Sequence, residues 1–241
     1  MNLIIDRGNT LVKVAVYEGH ELIFVYRAPK VNDETIQNLF NVFTIDKSIL
    51  SSVAEVSFSE EWLADHSDFI KMSHVTQIPF KNLYATPETL GRDRIAAVTA
   101  AITEFPNRNL LVIDTGTCLT IDFVNAQTEY LGGNISPGPR LRYEGMHHGT
   151  SALPLVEAPN TFHLIGTSTE TALQSGGYGG CIAEIIGWIA LAREQFEDLI
   201  VVLSGGDAEA FATSIKNEIF VRPDLILRGL NEILQFNANK T

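Results

Sequence analysis

Two short stretches of the 241-residue chain place an acid, a glycine and a hydroxyl together at the end of an apolar run. The first is Asp6-Arg7-Gly8-Asn9-Thr10 and the second is Asp114-Thr115-Gly116-Thr117. In each, a carboxylate ends a strand, a glycine lets the backbone approach a ligand, and a hydroxyl stands beside it. That combination suits a phosphate and its metal ion. One such turn by itself is an ordinary hairpin tip, but two of the same design are harder to explain that way. Lys13, three residues beyond Thr10, can lean toward the same phosphates or stand as a solvent-facing strand charge. A third cluster, Gly91-Arg92-Asp93-Arg94, sets a carboxylate between two arginines directly after a glycine. Asp93 falls in the first turn of a helix, where a carboxylate answers the macrodipole, yet the flanking arginines make capping alone an incomplete account.

These residues need elements to hold them. The apolar run Leu3-Ile4-Ile5 and the alternation of Val12, Val14 and Val16 predict two strands joined through the first turn. A third strand follows over 22–26, a helix over 33–43, a strand over 48–53 and a short helix over 60–66. The helix that opens at Arg92 is rich in helix formers and must stop before Pro106. The opening pattern then recurs: an apolar strand over 110–113, the second turn, a return strand carrying Leu119, Ile121 and Phe123, and a third strand over 129–135. A long helix over 169–196, a strand over 199–203, the turn Ser204-Gly205-Gly206-Asp207 and helices over 208–215 and 224–236 complete the pattern. No linker or charge run separates the halves, so two closely associated α/β lobes are expected, residues 1–109 and 110–241.

Composition narrows the function. A net charge of −12 and a pI near 4.9 oppose binding to a phosphate backbone, and Lys and Arg are scattered, so nucleic acid is not an expected partner. An acidic protein that handles ATP must therefore meet the triphosphate with backbone N–H groups, a few aimed cations and bound metal. No stretch approaches the roughly 18 to 20 apolar residues of a membrane span, and the N-terminus lacks a signal-type pattern, which points to the cytoplasm. Cys118 and Cys181 have no zinc-like partners and read as small core residues. The adjacent His147 and His148 point different ways on a helix and read as structural or surface residues.

The two hairpins resemble those with which the actin, sugar kinase and Hsp70 superfamily clamps a nucleotide. The resemblance implies a duplicated actin-like (ribonuclease H-like) ATPase fold, two lobes with a nucleotide cleft between them. The turn 204–207 looks like that superfamily's adenine loop. The stretch from Tyr84 to Arg94, with its Gly-x-Asp-Arg core, is similar to the signature of type III pantothenate kinases. Asp6-x-Gly-Asn-Thr, Asp114-Thr-Gly-Thr with Thr120, and Gly132-Gly133-Asn134-Ile135-Ser136-Pro137-Gly138 match that family's other marks in order. Arg92 stands where the family usually has Ala, and Cys118 follows Thr117 where Thr-Ala is common; neither change removes a catalytic group.

The resemblance implies transfer of the γ-phosphate of ATP to pantothenate, the first step of coenzyme A biosynthesis, with Asp93 as general base. It assigns Asp6, Gly8, Asn9, Thr10 and Thr117 to ATP, and Lys13 is counted with them from its place on the return strand. Tyr84, Gly91, Asp93, Arg94 and Thr169 fall to the substrate, with Arg92, this chain's own residue inside the signature, counted beside them, and Asp114 falls to a monovalent cation, K⁺ or NH₄⁺. It further implies Mg²⁺ with the nucleotide and a homodimer, for which the apolar helix around 183–192 offers a face. Two rivals are a sugar or acetate kinase of the same superfamily and a nucleotide-binding regulator without catalysis; an intact Asp93 argues against the second.

Overall fold

The computed structural model describes residues 1–159, 161–216 and 218–238. In chain order the strands are β1 (Asn2–Arg7), β2 (Val12–Glu18), β3 (Glu21–Ala28), β4 (Lys47–Ser52), β5 (Asp68–Lys71), β6 (Lys81–Asn82), β7 (Leu110–Thr115), β8 (Cys118–Val124), β9 (Glu129–Pro137), β10 (Ile200–Ser204) and β11 (Phe220–Val221). The helices are α1 (Asp33–Val42), α2 (Glu60–His66), α3 (Arg92–Glu104), α4 (Pro139–Gly149), α5 (Thr169–Gln174), α6 (Gly180–Gln195), α7 (Ala208–Ala212) and α8 (Leu225–Ala238). The chain forms two compact units. One holds Met1–Pro106, Thr128–Tyr130 and the chain from Asp224 onward; the other holds Asn107–Gln127 and Leu131–Pro223.

In the first unit the sheet order is β3-β2-β1-β4-β5. The β1–β2 and β2–β3 pairs are antiparallel, and β1–β4 and β4–β5 are parallel. Leu3, Ile4 and Ile5 are all fully buried because helices cover both faces of the sheet, which turns alternation into a continuous apolar run. Leu3, Ile5, Val12, Val14 and Val16 pack with Ile36 and Leu39 of α1, Leu63 of α2 and Phe58. Both helices begin on side-chain caps, Asn32 accepting from the Thr35 N–H at 3.0 Å and Ser59 from the Trp62 N–H at 3.1 Å, as the residue types demand.

The other face of that sheet carries α3 and α8. From Arg94 to Ile102 every residue of α3 is buried, so small residues set how closely its neighbours come. Gly229 on α8 lies so near that a Cβ there would stand 1.7 Å from the Ala96 carbonyl oxygen. Glycine is what allows the two backbones to approach. The sequence reading put residues 110–241 together; α8 instead packs on α3 and β1, because its apolar face matches the face of α3 that would otherwise meet water.

The second unit repeats the plan in the order β9-β8-β7-β10-β11. Its β7–β8 pair is antiparallel and its β7–β10 and β10–β11 pairs are parallel. The first residues of β9, Glu129 and Tyr130, also pair with β6. Ile113, Leu119, Ile121 and Leu203 from the sheet bury with Cys181, Ile185, Ile189 and Phe211. The expected single helix over 169–196 is two helices joined by a π-helical segment, Ser175–Gly179. There Gly177 lies against the Tyr143 ring and Gly179 against the Phe162 ring, each too close for a Cβ, so the helix widens to accommodate the contacts. Cys118 is only partly buried, unlike Cys181: it opens β8 at the exposed turn rather than lying under a helix.

Candidate active site

Asp6 occupies the penultimate position of β1, opposite Lys13 on β2 and Ser51 on β4. Only 6% of it is exposed. Burial is the largest influence on its carboxyl and raises the pKa from 3.8 to about 6; Lys13 opposes the rise, Asp93 adds to it, and a hydrogen bond from the Ser51 hydroxyl opposes it again. Burial disfavours the charged form and a neighbouring cation restores it. The structure therefore brings Asp6, Lys13 and Asp93 into one electrostatic cluster. Beyond it the turn is closed by the Gly8 N–H, which donates to the Leu11 carbonyl at 3.0 Å. Asn9 and Thr10 are exposed at its tip. Around the missing Gly8 side chain only the Leu11 carbonyl oxygen comes within 4 Å, at 3.5 Å, which leaves the backbone approachable.

Asp93 is in the first turn of α3, as its sequence position predicts. Its Oδ1 accepts from the Arg94 N–H at 2.9 Å. The helix starts on Gly91, which has no side chain to cap it, and a Cβ at Gly91 would stand 2.4 Å from that Asp93 oxygen. Glycine is thus needed for the carboxylate to fold back over the helix start. Arg94 is 4% exposed, and its guanidinium lies over the Tyr84 ring, 5.8 Å from the centroid, a cation–π contact. Tyr84 in turn tilts against Tyr130 with ring centroids 6.0 Å apart. The Nε of Arg92 is buried without a hydrogen-bond partner.

In the second unit, backbones converge at the end of β7. Asp114 pairs with Thr120 on β8 and with Ser204 on β10. A Cβ on Gly116 would stand 3.2 Å from the Asp114 Oδ2, so glycine leaves that carboxylate room. The Thr115 hydroxyl donates to the Ser204 carbonyl at 2.8 Å. Gly205 has φ +99°, and a Cβ there would meet the Thr115 backbone at 2.5 Å. The Gly138 N–H donates to the Thr117 carbonyl at 3.1 Å, and a Cβ on Gly138 would stand 2.4 Å from the Gly116 oxygen. The second turn, the Gly132–Gly138 stretch and the 204–207 turn, distant in sequence, therefore share one tip, with Thr117 exposed on it. Burial lifts the carboxyl of Asp207, at the start of α7, above its ordinary range.

Thr169 is exposed at the first position of α5, but the cap is Ser168. The Ser168 side chain accepts from the Thr171 N–H in a capping box. A Cβ on Gly166 would collide with the Ala172 backbone at 2.3 Å, which fixes the chain entering the helix. His147 bonds through Nδ1 to the Leu153 carbonyl at 2.8 Å, a structural role. No group of three or more metal-ligating side chains occurs among the described residues.

A family model described as type III pantothenate kinase matches residues 2–191. The type III pantothenate kinase of Christiangramia forsetii is 42% identical over 100% of both chains, and that of Phocaeicola vulgatus is 41% identical over 98% of this chain and 99% of its own. The chain belongs to the type III pantothenate kinase family. Two solved structures share its fold. One is the ROK hexokinase of Thermus thermophilus, with TM-score 0.56, 13% identity and 99% of each chain covered. The other is a Campylobacter jejuni protein provisionally assigned as a Baf family transcriptional activator, with TM-score 0.60, 23% identity, and 98% of this chain and 99% of its own covered. With the repeated strand order, these likenesses show the duplicated actin-like ATPase fold.

Within this kinase family member, sequence reasoning missed Ser51. Its hydroxyl reaches Asp6 only because β4 lies parallel to β1. Ser48 and Ser51 flank the apolar pair Ile49-Leu50 in β4 and both are buried, which obliges each to find a partner.

Proposed function

We propose that Asp93 acts as the general base in phosphorylation of pantothenate by MgATP. As a member of its family the chain is a pantothenate kinase, which moves the γ-phosphate of ATP to the primary hydroxyl of pantothenate. The observation that carries the mechanistic reading is the cluster of Asp6, Lys13 and Asp93 at the head of α3. An alcohol is a weak nucleophile at neutral pH, and in a loose phosphoryl-transfer transition state the base chiefly orients it and takes the proton late. A carboxylate fixed at a helix start by Gly91 meets that need. Tyr84, backed by buried Arg94, offers a rigid wall for the substrate, with Gly91 and Arg92 as further contacts; in the second unit Thr169 is the candidate contact.

In the first unit the turn Gly8-Asn9-Thr10 with Lys13 is our candidate for ATP contacts; in the second unit the candidate is Thr117. Kinases of this family use a divalent metal with ATP. Hard oxygen donors suit Mg²⁺, which retains waters and phosphate oxygens rather than a cage of side chains. Asp114 also fits a monovalent cation, since Gly116 leaves its carboxylate room and the donors are oxygens; K⁺ or NH₄⁺ there would offset negative charge. Positioning and electrostatics supply most of the rate.

The chain has no helix long and apolar enough to cross a membrane among the described residues, and we place its work in the cytoplasm. A homodimer is supported by α6, where Ile186 and Leu191 are exposed on a largely apolar helix. Sedimentation of the purified protein should give twice the chain mass, and Leu191→Glu should shift it to the monomer.

The decisive assay follows ADP release with pantothenate and MgATP, in K⁺ or NH₄⁺ and then in Na⁺, for the natural chain and Asp93→Asn. Turnover that requires pantothenate, falls in Na⁺ and drops about a hundredfold or more in Asp93→Asn is the expected result. ATP binding without turnover on pantothenate would overturn the reading in favour of the regulator.

A further inference from the structure

The first unit has a second polar concavity, on the sheet face opposite Asp6. Adjacent strand residues point to opposite faces, so Arg7 projects away from Asp6 and toward the side of α1 and α2. There it lines a cavity of about 240 Å³ with Val12, Lys30, Val31, Glu55, Val56 and Phe58. Val12, Val31 and Phe58 belong to the buried core of that face and give the cavity an apolar floor. Its rim is charged. Six other cations of this acidic protein are paired with acids, Arg27 with Asp224, Lys71 with Glu60, Lys81 with Glu129, Arg140 with Glu144, Arg142 with Glu184 and Arg228 with Glu104. Arg7 and Lys30 make no ion pair among the described residues and share one hollow. The hydrogen bond of Arg7 runs from Nη1 to the Gly8 carbonyl at 2.6 Å.

We infer that this cavity binds a small organic acid with a compact apolar body, its carboxylate held by Arg7 and Lys30 and its body seated on Val12, Val31, Val56 and Phe58. Two cations that make no ion pair, against the single acid Glu55 in the same lining, leave the hollow with a net positive charge in a chain of net charge −12, and that local field selects anions. A guanidinium beside an ammonium matches a carboxylate. The volume lies below the roughly 300–1,000 Å³ of drug-sized sites, which limits the ligand to on the order of ten non-hydrogen atoms. Glu55 at the rim offers an acceptor to a hydroxyl or ammonium on the same molecule. Occupation is also felt at the nucleotide turn: an anion that draws in the Arg7 guanidinium competes with the Gly8 carbonyl for it and loosens the backbone next to Asn9 and Thr10.

Isothermal titration with 4-methylpentanoate tests the site, with pantothenate at saturation so that the substrate site does not take the probe. 4-Methyl-1-pentanol is the uncharged control, and leucine is the arm that adds an ammonium. The acid should bind, the alcohol at least tenfold more weakly, and Arg7→Gln and Lys30→Gln should each weaken the acid about tenfold. Absence of binding up to about 10 mM, or binding that both substitutions leave untouched, overturns the site. In parallel, 4-methylpentanoate should raise the KM for ATP at least twofold in the natural chain and leave it unchanged in Lys30→Gln; an unchanged KM in the natural chain overturns the link to the turn. Lys30→Gln should keep its turnover of pantothenate without the probe, so failure of this site and failure of the kinase mechanism give different patterns.

Discussion

Asp6 shows what the site demands of a single residue. Its carboxyl is neutral below about pH 3.8 in both the unfolded and the folded chain. Between about 3.8 and 6 the folded protein holds a proton that the unfolded chain has lost. Because the folded-state pKa is raised, stability falls as pH rises through this window, and above it the folded state carries the full penalty, about 3 kcal/mol. Asp6→Asn should therefore be more stable than the natural chain by about 2–3 kcal/mol in urea denaturation at pH 7.5 without nucleotide, and the difference should vanish near pH 4. If Asp6 serves ATP as proposed, the same variant should lose activity, since a charge kept at a cost in stability is then one that function requires. Gly91→Ala makes the complementary case. The added methyl displaces the Asp93 carboxylate, so kcat should fall at least tenfold while the melting temperature moves by no more than a few degrees.

Among the elements, both hairpins and α3 were legible in the sequence because each carries its own signal: an apolar run before each polar turn and period-two apolar residues after it, and a run of helix formers closed by Phe105-Pro106. The helix opening at Arg92 places Asp93 where its local sequence alone requires. The two-residue strands β6 and β11 were not legible, since strands so short have no periodicity and exist only through pairing with β9 and β10. The π-helical segment was hidden for a related reason. Ser175–Gly179 reads as a weak helix, and its widening answers the rings of Tyr143 and Phe162, which come from elsewhere in the chain. At the site the acids and glycines were readable from spacing, whereas Ser51 depended on a sheet register that no local pattern encodes. Glycine contacts between elements yield a further test. Gly229→Ala must push α8 from α3, and it should cost about 1–3 kcal/mol, read as a lower denaturation midpoint, while Gly187→Ala, where a Cβ meets nothing within 4 Å, should be neutral or slightly stabilising.

For the molecule as a whole, the assignment of α8 to the first unit is the feature with most reach. Leu225, Ile226, Leu227, Leu230, Ile233 and Leu234 are all buried. At roughly 1.5–3 kcal/mol each, their loss is on the order of the entire stability of a domain. A chain cut after Pro223 should accordingly fail to fold its first unit, seen as loss of cooperative unfolding by circular dichroism and as aggregation, although every residue assigned to catalysis remains in it. The same feature orders events on the ribosome. The strands β1 to β5 must wait for α8 to be translated, a delay on the order of ten seconds. Throughout that interval the nascent amino-terminal half presents the bare face of α3, which makes it the natural client for a chaperone, while the later-made unit already has all its parts.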